Sequence, residues 1–413
     1  MRRTAERGEG LETLRYHIHE ETASLKSTLA WGPTGVEAIM ARYFPFKESL
    51  FEMEMDVPLA RIQFQKFEEL LRENGVNVIE VKDLVAEQIS QSTMEPASRD
   101  LGDLADKIIR RCYEVKAKYD ERVKQEDGGR DPGMEPTSWV TQILNEDAQR
   151  YGDEKVAILL NEILANFPGL PLANILFGRD QTNVVGDTML WSKMTKPIRQ
   201  PEVDIWQWGL GDLVGNLKNV SVVDGGRLEG GDPYVSKGIC YIGVGGRTNR
   251  EGIRQVAKAV LDQGMRLMFV YQPDMDAGLT EHQIEMHLDT FSMPFGKNGL
   301  VLFEEGASRR FMYEVRQSSG EVDFVDMKQT FLDHVVERGY DIIPLSRPQQ
   351  LKYQANYVNL SPNKVLLTVD MDGNKLRMDL QAHGMEVVCA DMTAIIQGFG
   401  GAHCSISPLV RGS

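Results

Sequence analysis

Short apolar runs that end in glycine or a polar residue recur along the chain after Pro168, and this recurrence constrains the fold most. Examples are ICYIGVGG, RLMFVYQ, GLVLF and KVLLTV, which alternate with helical stretches such as TNREGIRQVAKAVLDQG. Runs of this length are typical of buried strands, and their alternation with amphipathic helices favours an α/β fold. Because helix-containing units recur about every fifty residues, we expect a pseudo-symmetric, radial arrangement of α/β units and not one doubly wound sheet.

The recurring pattern is interrupted once, which divides the chain into three segments. Residues 1–83 contain an apolar run, the helical pattern RIQFQKFEELLRENGV, a glycine stop at Gly75 and the strand pattern VNVIEV. Residues 84–167 have helical periodicity in DLADKIIRRCYEVKAKYDERVK and VAILLNEILANF, which predicts an all-helical insertion. Residues 168–413 return to short strands. We therefore expect one α/β domain, built from the first and third segments, with the helical segment inserted into it.

Charge and cysteine usage exclude several classes of partner. The 413 residues include 46 Lys+Arg and 61 Asp+Glu, a net charge of −15 that would repel a polyphosphate backbone. No apolar stretch is long enough to span a membrane, and none follows the basic N-terminus as in an export signal. The four cysteines lie far apart without CxxC spacing, which argues against a disulfide framework or a zinc site. We expect a cytoplasmic protein with no nucleic-acid or membrane partner.

Two segments that resemble cofactor motifs lack a required residue. The segment GVGGRT (243–248) follows a strand, but Thr248 stands where the dinucleotide-binding motif needs its last glycine. The segment DMDGN (370–374) begins like a calcium loop, but Lys375 occupies the sixth position, where the sharp turn needs glycine. A hairpin turn between KVLLTV and KLRMDL is the better interpretation. The sequence therefore predicts neither a metal nor an organic cofactor.

Four polar clusters at the ends of apolar strands form the candidate site. They are FGRD (177–180), EGGD (229–232), HLD (287–289) and GGAHC (400–404). Catalytic groups favour loops that a rigid sheet holds in place. If the segment MHLDTFSM is a strand, His287 and Asp289 project to the same face. Cysteine, histidine and several carboxylates together supply a nucleophile, a proton-transfer group and a receptor for a cationic substrate.

Each of these residues alone also has a purely structural interpretation. A single histidine is commonly structural, an aspartate at a strand end commonly caps a turn, and a cysteine commonly packs as a small apolar residue. Cys112 lies in the helical segment, and Cys240 and Cys389 lie inside apolar strands, so we assign all three to packing. Cys404 alone lies in a glycine-rich polar loop beside a histidine, which is the setting of a reactive thiolate.

Taken together and in this order, FGRD, RLEGGD, MHLDT and GGAHC resemble the guanidine-modifying superfamily of arginine deiminases and amidinotransferases, and among these the arginine deiminase family is the best match. The resemblance covers nearly the whole chain, from EETASLKSTLAWGP onward, and includes a helical insertion where deiminases carry one. It implies the pentein fold, an α/β five-bladed pseudo-symmetric propeller of ββαβ units. It also implies hydrolysis of arginine to citrulline and ammonia through a cysteine-bound S-alkylthiouronium intermediate.

The resemblance further implies a role for each residue that matches a family motif. The implied catalytic residues are the nucleophile Cys404, the general acid/base His287, its partner Glu229, and the guanidinium-binding carboxylates Asp180 and Asp289. The implied contacts to the rest of the substrate are Asn174, Phe177, Arg199 and Arg247, with the two arginines on the α-carboxylate. Guanidinium is a stable planar cation, so carboxylates that fix its plane against the sulfur agree with these roles.

One substrate-binding position departs from the family pattern. Phe399 stands where deiminases have an arginine in the loop before the nucleophile. Two other functions therefore remain open: an amidinotransferase that moves the amidino group of arginine to another amine, and a pentein that binds a ligand without catalysis. The expected partners are a small guanidino compound, arginine first, and further copies of the same chain.

Overall fold

The computed structural model describes residues 16–32, 35, 50, 55–91, 100–126, 136–166, 172–214, 218–273, 285–369 and 375–412. The strands within these residues are β1 (Leu25–Ala30), β2 (Asn77–Glu80), β3 (Thr182–Val185), β4 (Thr188–Trp191), β5 (Lys218–Ser221), β6 (Pro233–Ser236), β7 (Ile239–Val244), β8 (Arg266–Tyr271), β9 (Ser292–Phe295), β10 (Gly299–Leu302), β11 (Phe311–Ser318), β12 (Glu321–Thr330), β13 (Asp341–Pro344), β14 (Val358–Ser361), β15 (Lys364–Val369), β16 (Glu386–Asp391) and β17 (Ser407–Arg411). The α-helices in the same ranges are α1 (Val57–Glu73), α2 (Val81–Gln91), α3 (Leu101–Glu126), α4 (Pro136–Tyr151), α5 (Asp153–Asn166), α6 (Gly178–Gln181), α7 (Gln200–Val214), α8 (Arg250–Leu261), α9 (Glu304–Ser308), α10 (Phe331–Glu337), α11 (Arg347–Leu351), α12 (Lys375–Ala382) and α13 (Thr393–Ile396).

The described strands form five sheets that repeat one pattern. In the sheet of β3, β4 and β5, the first two strands pair antiparallel, the helix α7 follows, and β5 pairs in parallel with β4. The same order recurs in β6, β7, α8 and β8, and in β14, β15, α12 and β16. Parallel neighbours need such a crossover, which a helix usually provides. The predicted pseudo-symmetric α/β fold is confirmed, and five sheets match the number of blades that the family resemblance implies.

The helix α8 shows how the sequence builds one unit. The Asn249 side chain caps its first turn by accepting a backbone N–H, as asparagine does at helix N-termini. Ile253, Val256 and Val260 are buried on one side of this helix, at the spacing of an amphipathic helix. The helix thereby covers the sheet and brings β8 back beside β7 in parallel.

In the unit of β9, β10 and β13, β9 pairs antiparallel with β10, and β13 pairs in parallel with β10. Strands from the two ends of the chain form the fifth unit. β17 pairs antiparallel with β1, and β1 pairs in parallel with β2. At the end of β17, the buried Arg411 donates a hydrogen bond to Glu21, 2.8 Å away, just before β1. The turn that precedes β17 has its own contacts: the Cys404 carbonyl accepts the Arg179 N–H before β3, and the Cys404 N–H donates to Asn356 before β14.

The helices α3, α4 and α5 share an apolar cluster of their own, in which Leu104 and Ile143 are buried. Buried charges connect this cluster to the helices α1 and α2. Arg61 on α1 donates to Asp147 on α4 at 3.0 Å, and Lys82 on α2 lies 3.3 Å from the same carboxylate. None of the helices in the described ranges is both long and apolar enough to cross a bilayer.

Two segments expected as strands are wrong predictions. NILF (174–177) forms turns, because backbone hydrogen bonds there connect residues three apart. KLRMDL lies in the helix α12, with Leu376 and Leu380 buried and Met378 exposed. The polar clusters consequently do not follow strands as expected. They precede β3, β6, β9 and β17.

Candidate active site

One polar residue from each of the five units reaches the same buried region. These residues precede the first strand of their units, and they are Asp180, Glu229, Asp289, Asn356 and Cys404, each 3% exposed or less. Backbone hydrogen bonds join the loop of Glu229 to those of Asp180 and Asp289. The Cys404 loop is joined to the Asn356 side chain. The repetition of one unit therefore brings together residues that are far apart in the sequence.

The Asn356 side chain positions the turn that carries Cys404. Asn356 Oδ1 accepts the backbone N–H groups of Cys404 at 3.0 Å and Gly401 at 3.2 Å. The Cys404 sulfur lies 3.8 Å from Asp289 Oδ2. Burial raises the pKa of the Cys404 thiol well above its usual value, and the carboxylates of Asp289 and Asp180 raise it further. A cation bound between the sulfur and these carboxylates would favour the thiolate.

The two carboxylates nearest to His287 keep its imidazole charged. His287 Nε2 lies 3.0 Å from Glu229 Oε2, and its Nδ1 lies 3.5 Å from Asp180 Oδ1. Burial opposes the charged form, but Asp180, Glu229 and Asp232 outweigh burial and raise the pKa of the imidazole to about 10. Burial likewise opposes ionisation of Glu229, but Arg247 and His287 outweigh it and hold the pKa of Glu229 below its usual range. At neutral pH the pair is therefore an imidazolium and a carboxylate.

The prediction that His287 and Asp289 share one face of a strand is wrong. Leu288–Thr290 form a 3-10 turn, and β9 begins only after it. The turn forms because the backbone N–H at its end bonds to the carbonyl of His287. The two side chains nevertheless reach the same site: His287 lies beside Asp180, and Asp289 lies beside Cys404.

Asp180 and Asp289 each use one oxygen within the protein. Asp180 Oδ2 accepts from Arg199 Nη1, and Asp289 Oδ2 accepts from His403 Nδ1, both at 2.7 Å. The Oδ1 atoms of both aspartates are buried without a hydrogen-bond partner among the described residues. Buried carboxylate oxygens are strongly favoured to accept hydrogen bonds. A guanidinium, with up to five N–H donors in one plane, fits two such oxygens.

Arg199 and Arg247 are both buried beside the acidic groups of the site. Arg199 donates from Nε to Glu202 at 3.0 Å and from Nη2 to the carbonyl oxygen of Asn174 at 3.3 Å, in addition to its bond with the aspartate described above. Arg247 Nη1 lies 3.3 Å from Glu229 Oε2. Each arginine therefore contacts an acidic residue with a predicted catalytic role.

The loop that precedes Cys404 packs on Phe177. A side-chain carbon at Gly400 would overlap the Phe177 ring, and one at Gly398 would lie 3.1 Å from it. Between these glycines, the half-buried Phe399 has a φ of 63°, in the left-handed region that favours glycine. Since Phe177 also precedes α6, the loop is held against the helix that carries Asp180.

Two residues that contact the predicted site are not among those predicted from the sequence. Asn356 precedes β14 as the other site residues precede their strands, so its place in the repeat is the signal that indicates it. His403 is visible in the sequence only as a neighbour of Cys404, yet its ring contacts Asp289 and Glu21. In the part of the chain that the structure describes, no group of three or more His, Cys, Asp or Glu side chains could hold a metal ion.

Five ββαβ units around a buried cysteine, histidine and carboxylates define the pentein class of α/β proteins. Solved structures share this fold with the chain. A dimethylarginine dimethylaminohydrolase from Pseudomonas aeruginosa, in complex with citrulline, is similar with a TM-score of 0.54 and 13% identity, over 93% of this chain and 99% of that chain. The N-terminal domain of a cyanobacterial arginine dihydrolase, bound to substrate, is similar with a TM-score of 0.54 and 12% identity, over 94% and 98%.

The profile of the family described as "Arginine deiminase" matches residues 47–411. The chain belongs to the arginine deiminase family. The arginine deiminase of Borrelia recurrentis (strain A1) is 24% identical to it over 421 residues, which cover 96% of this chain and 98% of that protein.

Proposed function

We propose that this protein hydrolyses L-arginine to L-citrulline and ammonia through a covalent intermediate on Cys404. The observation that carries the proposal is the convergence, in one buried region, of a thiol, two aspartates with unpaired oxygens and a charged imidazole. Membership of the arginine deiminase family supports the choice of arginine as the substrate.

Binding begins with the substrate guanidinium between Asp180 and Asp289. Their unpaired Oδ1 atoms accept N–H groups from the substrate, and this fixes the guanidinium plane and places its central carbon near the Cys404 sulfur. The cation also offsets the two carboxylates that raise the pKa of the thiol. Substrate binding therefore favours the thiolate at the moment when it is needed.

The first half of the reaction releases ammonia. The thiolate forms a bond to the guanidinium carbon, which gives a neutral tetrahedral adduct. The charged His287 then donates a proton to a terminal nitrogen, which leaves as ammonia with the electrons of the broken C–N bond. The product of this step is a positively charged S-alkylthiouronium on Cys404, next to a neutral imidazole.

The second half uses the same imidazole as a base. His287 takes a proton from water, and the resulting hydroxide forms a bond to the thiouronium carbon. Expulsion of the thiolate then gives the ureido group of citrulline. Two protons are released in this half: one returns His287 to its charged form, and the other passes to solvent, where it converts the ammonia released in the first half into ammonium. Atoms and charges therefore balance for arginine plus water going to citrulline plus ammonium.

The α-carboxylate of the substrate is assigned to Arg199 and Arg247. Arg199 uses three of its five N–H groups on Glu202, Asp180 and the Asn174 carbonyl, which leaves donors for a ligand. Asn174 and Phe177 lie in the turn just before the helix α6, where the Phe177 N–H donates to the Asn174 carbonyl. An anchored α-carboxylate keeps the alkyl chain bound while ammonia leaves, which favours hydrolysis over transfer.

The test uses purified protein with arginine and no added amine. We expect equal amounts of citrulline and ammonia, and no ornithine. Cys404→Ala should abolish turnover, whereas Cys112→Ala and Cys240→Ala, at buried cysteines outside the site, should retain it. Acid-quenched wild-type protein should carry an adduct on the Cys404 peptide that still contains the ornithine skeleton.

An amidinotransferase would give a different result in the same assay. Its cysteine adduct would contain only the amidino group, and ornithine would be released before an acceptor amine binds. Turnover that requires an added amine would therefore refute hydrolysis. Normal turnover by Cys404→Ala would refute the covalent mechanism for either reaction.

A further inference from the structure

Two chains of buried ionisable side chains approach Cys404, and of the second chain the proposed reaction uses only the aspartate. Each chain runs from an arginine through a glutamate and a histidine to one of the two substrate-binding aspartates. The chain used above is Arg247, Glu229, His287 and Asp180. The second chain is Arg411, Glu21, His403 and Asp289. All members of the second chain are at most 1% exposed.

The two histidines differ in their contact with the aspartate. His287 Nδ1 lies 3.5 Å from Asp180 and makes no hydrogen bond with any described residue. His403 Nδ1 donates to Asp289 Oδ2 at 2.7 Å. Because a carboxylate oxygen only accepts, Nδ1 of His403 must carry the hydrogen. His287 can therefore exchange a proton with a ligand, whereas His403 is committed to Asp289.

We infer that Glu21 and His403 are positioning residues that hold Asp289 for a guanidinium group. The inference rests on the proposed function, since it concerns a carboxylate that would bind the substrate. Asp289 Oδ2 accepts from His403 and faces the Cys404 sulfur at 3.8 Å. This contact opposes rotation of the carboxylate and keeps Oδ1 as the oxygen available to the substrate.

Glu21 lies beside the Nε2 end of the His403 ring, opposite the end that contacts Asp289. Its Oε1 lies 3.4 Å from His403 Nε2 and accepts from Arg411 at 2.8 Å, while its Oε2 accepts from Arg179 at 3.4 Å. Burial opposes ionisation of Glu21, but Arg411 and Arg179 outweigh it and hold the pKa of its carboxyl below its usual range. Since Arg411 lies on β17 and Arg179 on α6, Glu21 links its own segment before β1 to two other segments of the protein.

The test compares two substitutions of His403. Each places a side-chain amide nitrogen where one of the two ring nitrogens lies in the wild-type protein. In His403→Asn the amide nitrogen can take the place of Nδ1 and keep the bond to Asp289. In His403→Gln it can take the place of Nε2, so that the bond to Asp289 is lost. If His403 served only to fill space, His403→Asn should bind a cation no better than His403→Gln, because glutamine is closer to histidine in volume.

Alkylation of Cys404 measures how well the site binds a cation, without the use of arginine. The probes are 2-chloroacetamidine, which is a cation, and 2-chloroacetamide, which has the same shape and is neutral. With both, the thiolate displaces chloride and forms an S–C bond, so the ratio of the two rates cancels changes in thiol reactivity. Rates are read from the mass of the Cys404 peptide.

We expect His403→Gln to lower the rate ratio of cation to neutral probe by about tenfold, the effect of losing one hydrogen bond to a charged group. His403→Asn should stay within about threefold of wild type, since it keeps that bond. His334→Asn is the matched control, because His334 is buried and bonded to Tyr241 and Gln329 outside the site. It should leave the ratio unchanged. If His403→Gln does not fold, Glu21→Gln replaces it and should lower the ratio severalfold.

Equal losses in the Asn and Gln variants would assign His403 to packing and overturn the inference. A wild-type ratio in His403→Gln would overturn it as well. A wild-type protein that prefers the cation but makes no citrulline from arginine would refute the proposed substrate and leave the positioning of Asp289 supported.

Discussion

Replacing Glu229 with glutamine tests whether this carboxylate keeps His287 charged. The substitution preserves the size of the side chain and removes its negative charge. The pKa of His287 is about 10 in the folded protein, against an ordinary value of 6.5, and this difference corresponds to roughly 5 kcal/mol in favour of the imidazolium. Asp180, Glu229 and Asp232 share this effect against the opposing burial. Loss of the Glu229 charge should therefore lower the pKa by about one to two units.

Glu229→Gln should make the enzyme lose activity at a lower pH than wild type on the alkaline side. In the proposed reaction charged His287 donates the proton to the leaving nitrogen, and the bound cation already favours the Cys404 thiolate. The alkaline limb of kcat against pH, which reports the enzyme–substrate complex, should therefore move down by the same one to two units, and the profile should narrow. Titration of labelled histidine rings by NMR measures the pKa directly. The chain has 7 histidines, and the His287 signal is identified by its absence in His287→Gln.

A matched control separates this effect from the loss of any buried glutamate. Glu68 is also fully buried, and it lies 3.4 Å from Arg150 away from the site. Glu68→Gln should leave the alkaline limb in place. If Glu229→Gln remains folded and neither its alkaline limb nor the His287 titration moves, the Glu229 carboxylate does not keep this imidazole charged.

Four further results follow from the same geometry. Phe399→Arg should lower KM for arginine more than it raises kcat, because it adds a charge-assisted contact to the substrate; unchanged steady-state kinetics would show that this position does not contact the substrate. Asn356→Ala should reduce kcat at least about tenfold, because the turn that carries Cys404 loses two backbone hydrogen bonds, whereas Asn356→Asp keeps an oxygen that can accept both and should shift the ultraviolet titration of the Cys404 thiol to higher pH. Gly400→Ala should lower kcat/KM because the added methyl overlaps an aromatic ring, while Gly211→Ala, at a helical position with open space around it, should raise the free energy of unfolding by about 0.5–1 kcal/mol. The free energy of unfolding should decrease as the pH rises from about 7 to 10, since the raised pKa of His287 contributes stability that is complete below 6.5 and is lost through 10; a flat profile in chemical denaturation would contradict the assigned charge.

Local sequence patterns determined much of the fold, because helices and strands depend largely on neighbouring residues. Gly75 ends the helix α1 with a φ of 78°, as its place after the helical pattern predicts. The local pattern gave a wrong prediction where one segment fits both the period of a strand and that of a helix. In KLRMDL the apolar residues alternate, as in a strand, but Leu376 and Leu380 are also one helical turn apart. Packing of these two leucines, with Met378 left exposed, selects the helix.

The sequence also determined which residue types are available to the site and their order along the chain. The four motifs identified the cysteine, the histidine and the carboxylates, because short glycine-flanked polar segments are local features. The repeat of strands and helices indicated that equivalent loops belong to similar units. Asn356 lies in a segment without such a motif, so only its equivalent place before β14 in that repeat indicates it.

Only the tertiary structure decided the distances and charges within the site, because its residues come from five units far apart in sequence. Asp289 lies 3.8 Å from the Cys404 sulfur because the loops that carry them meet in the folded protein. The pKa of His287 rises to about 10 only because carboxylates from other loops lie beside it. His403 shows the same limit. Its place next to Cys404 is visible in the sequence, but its contacts with Asp289 and Glu21 exist because β17 pairs with β1 and closes the chain on itself. Long-range pairing of this kind depends on packing free energy summed over the whole fold, which no local pattern encodes.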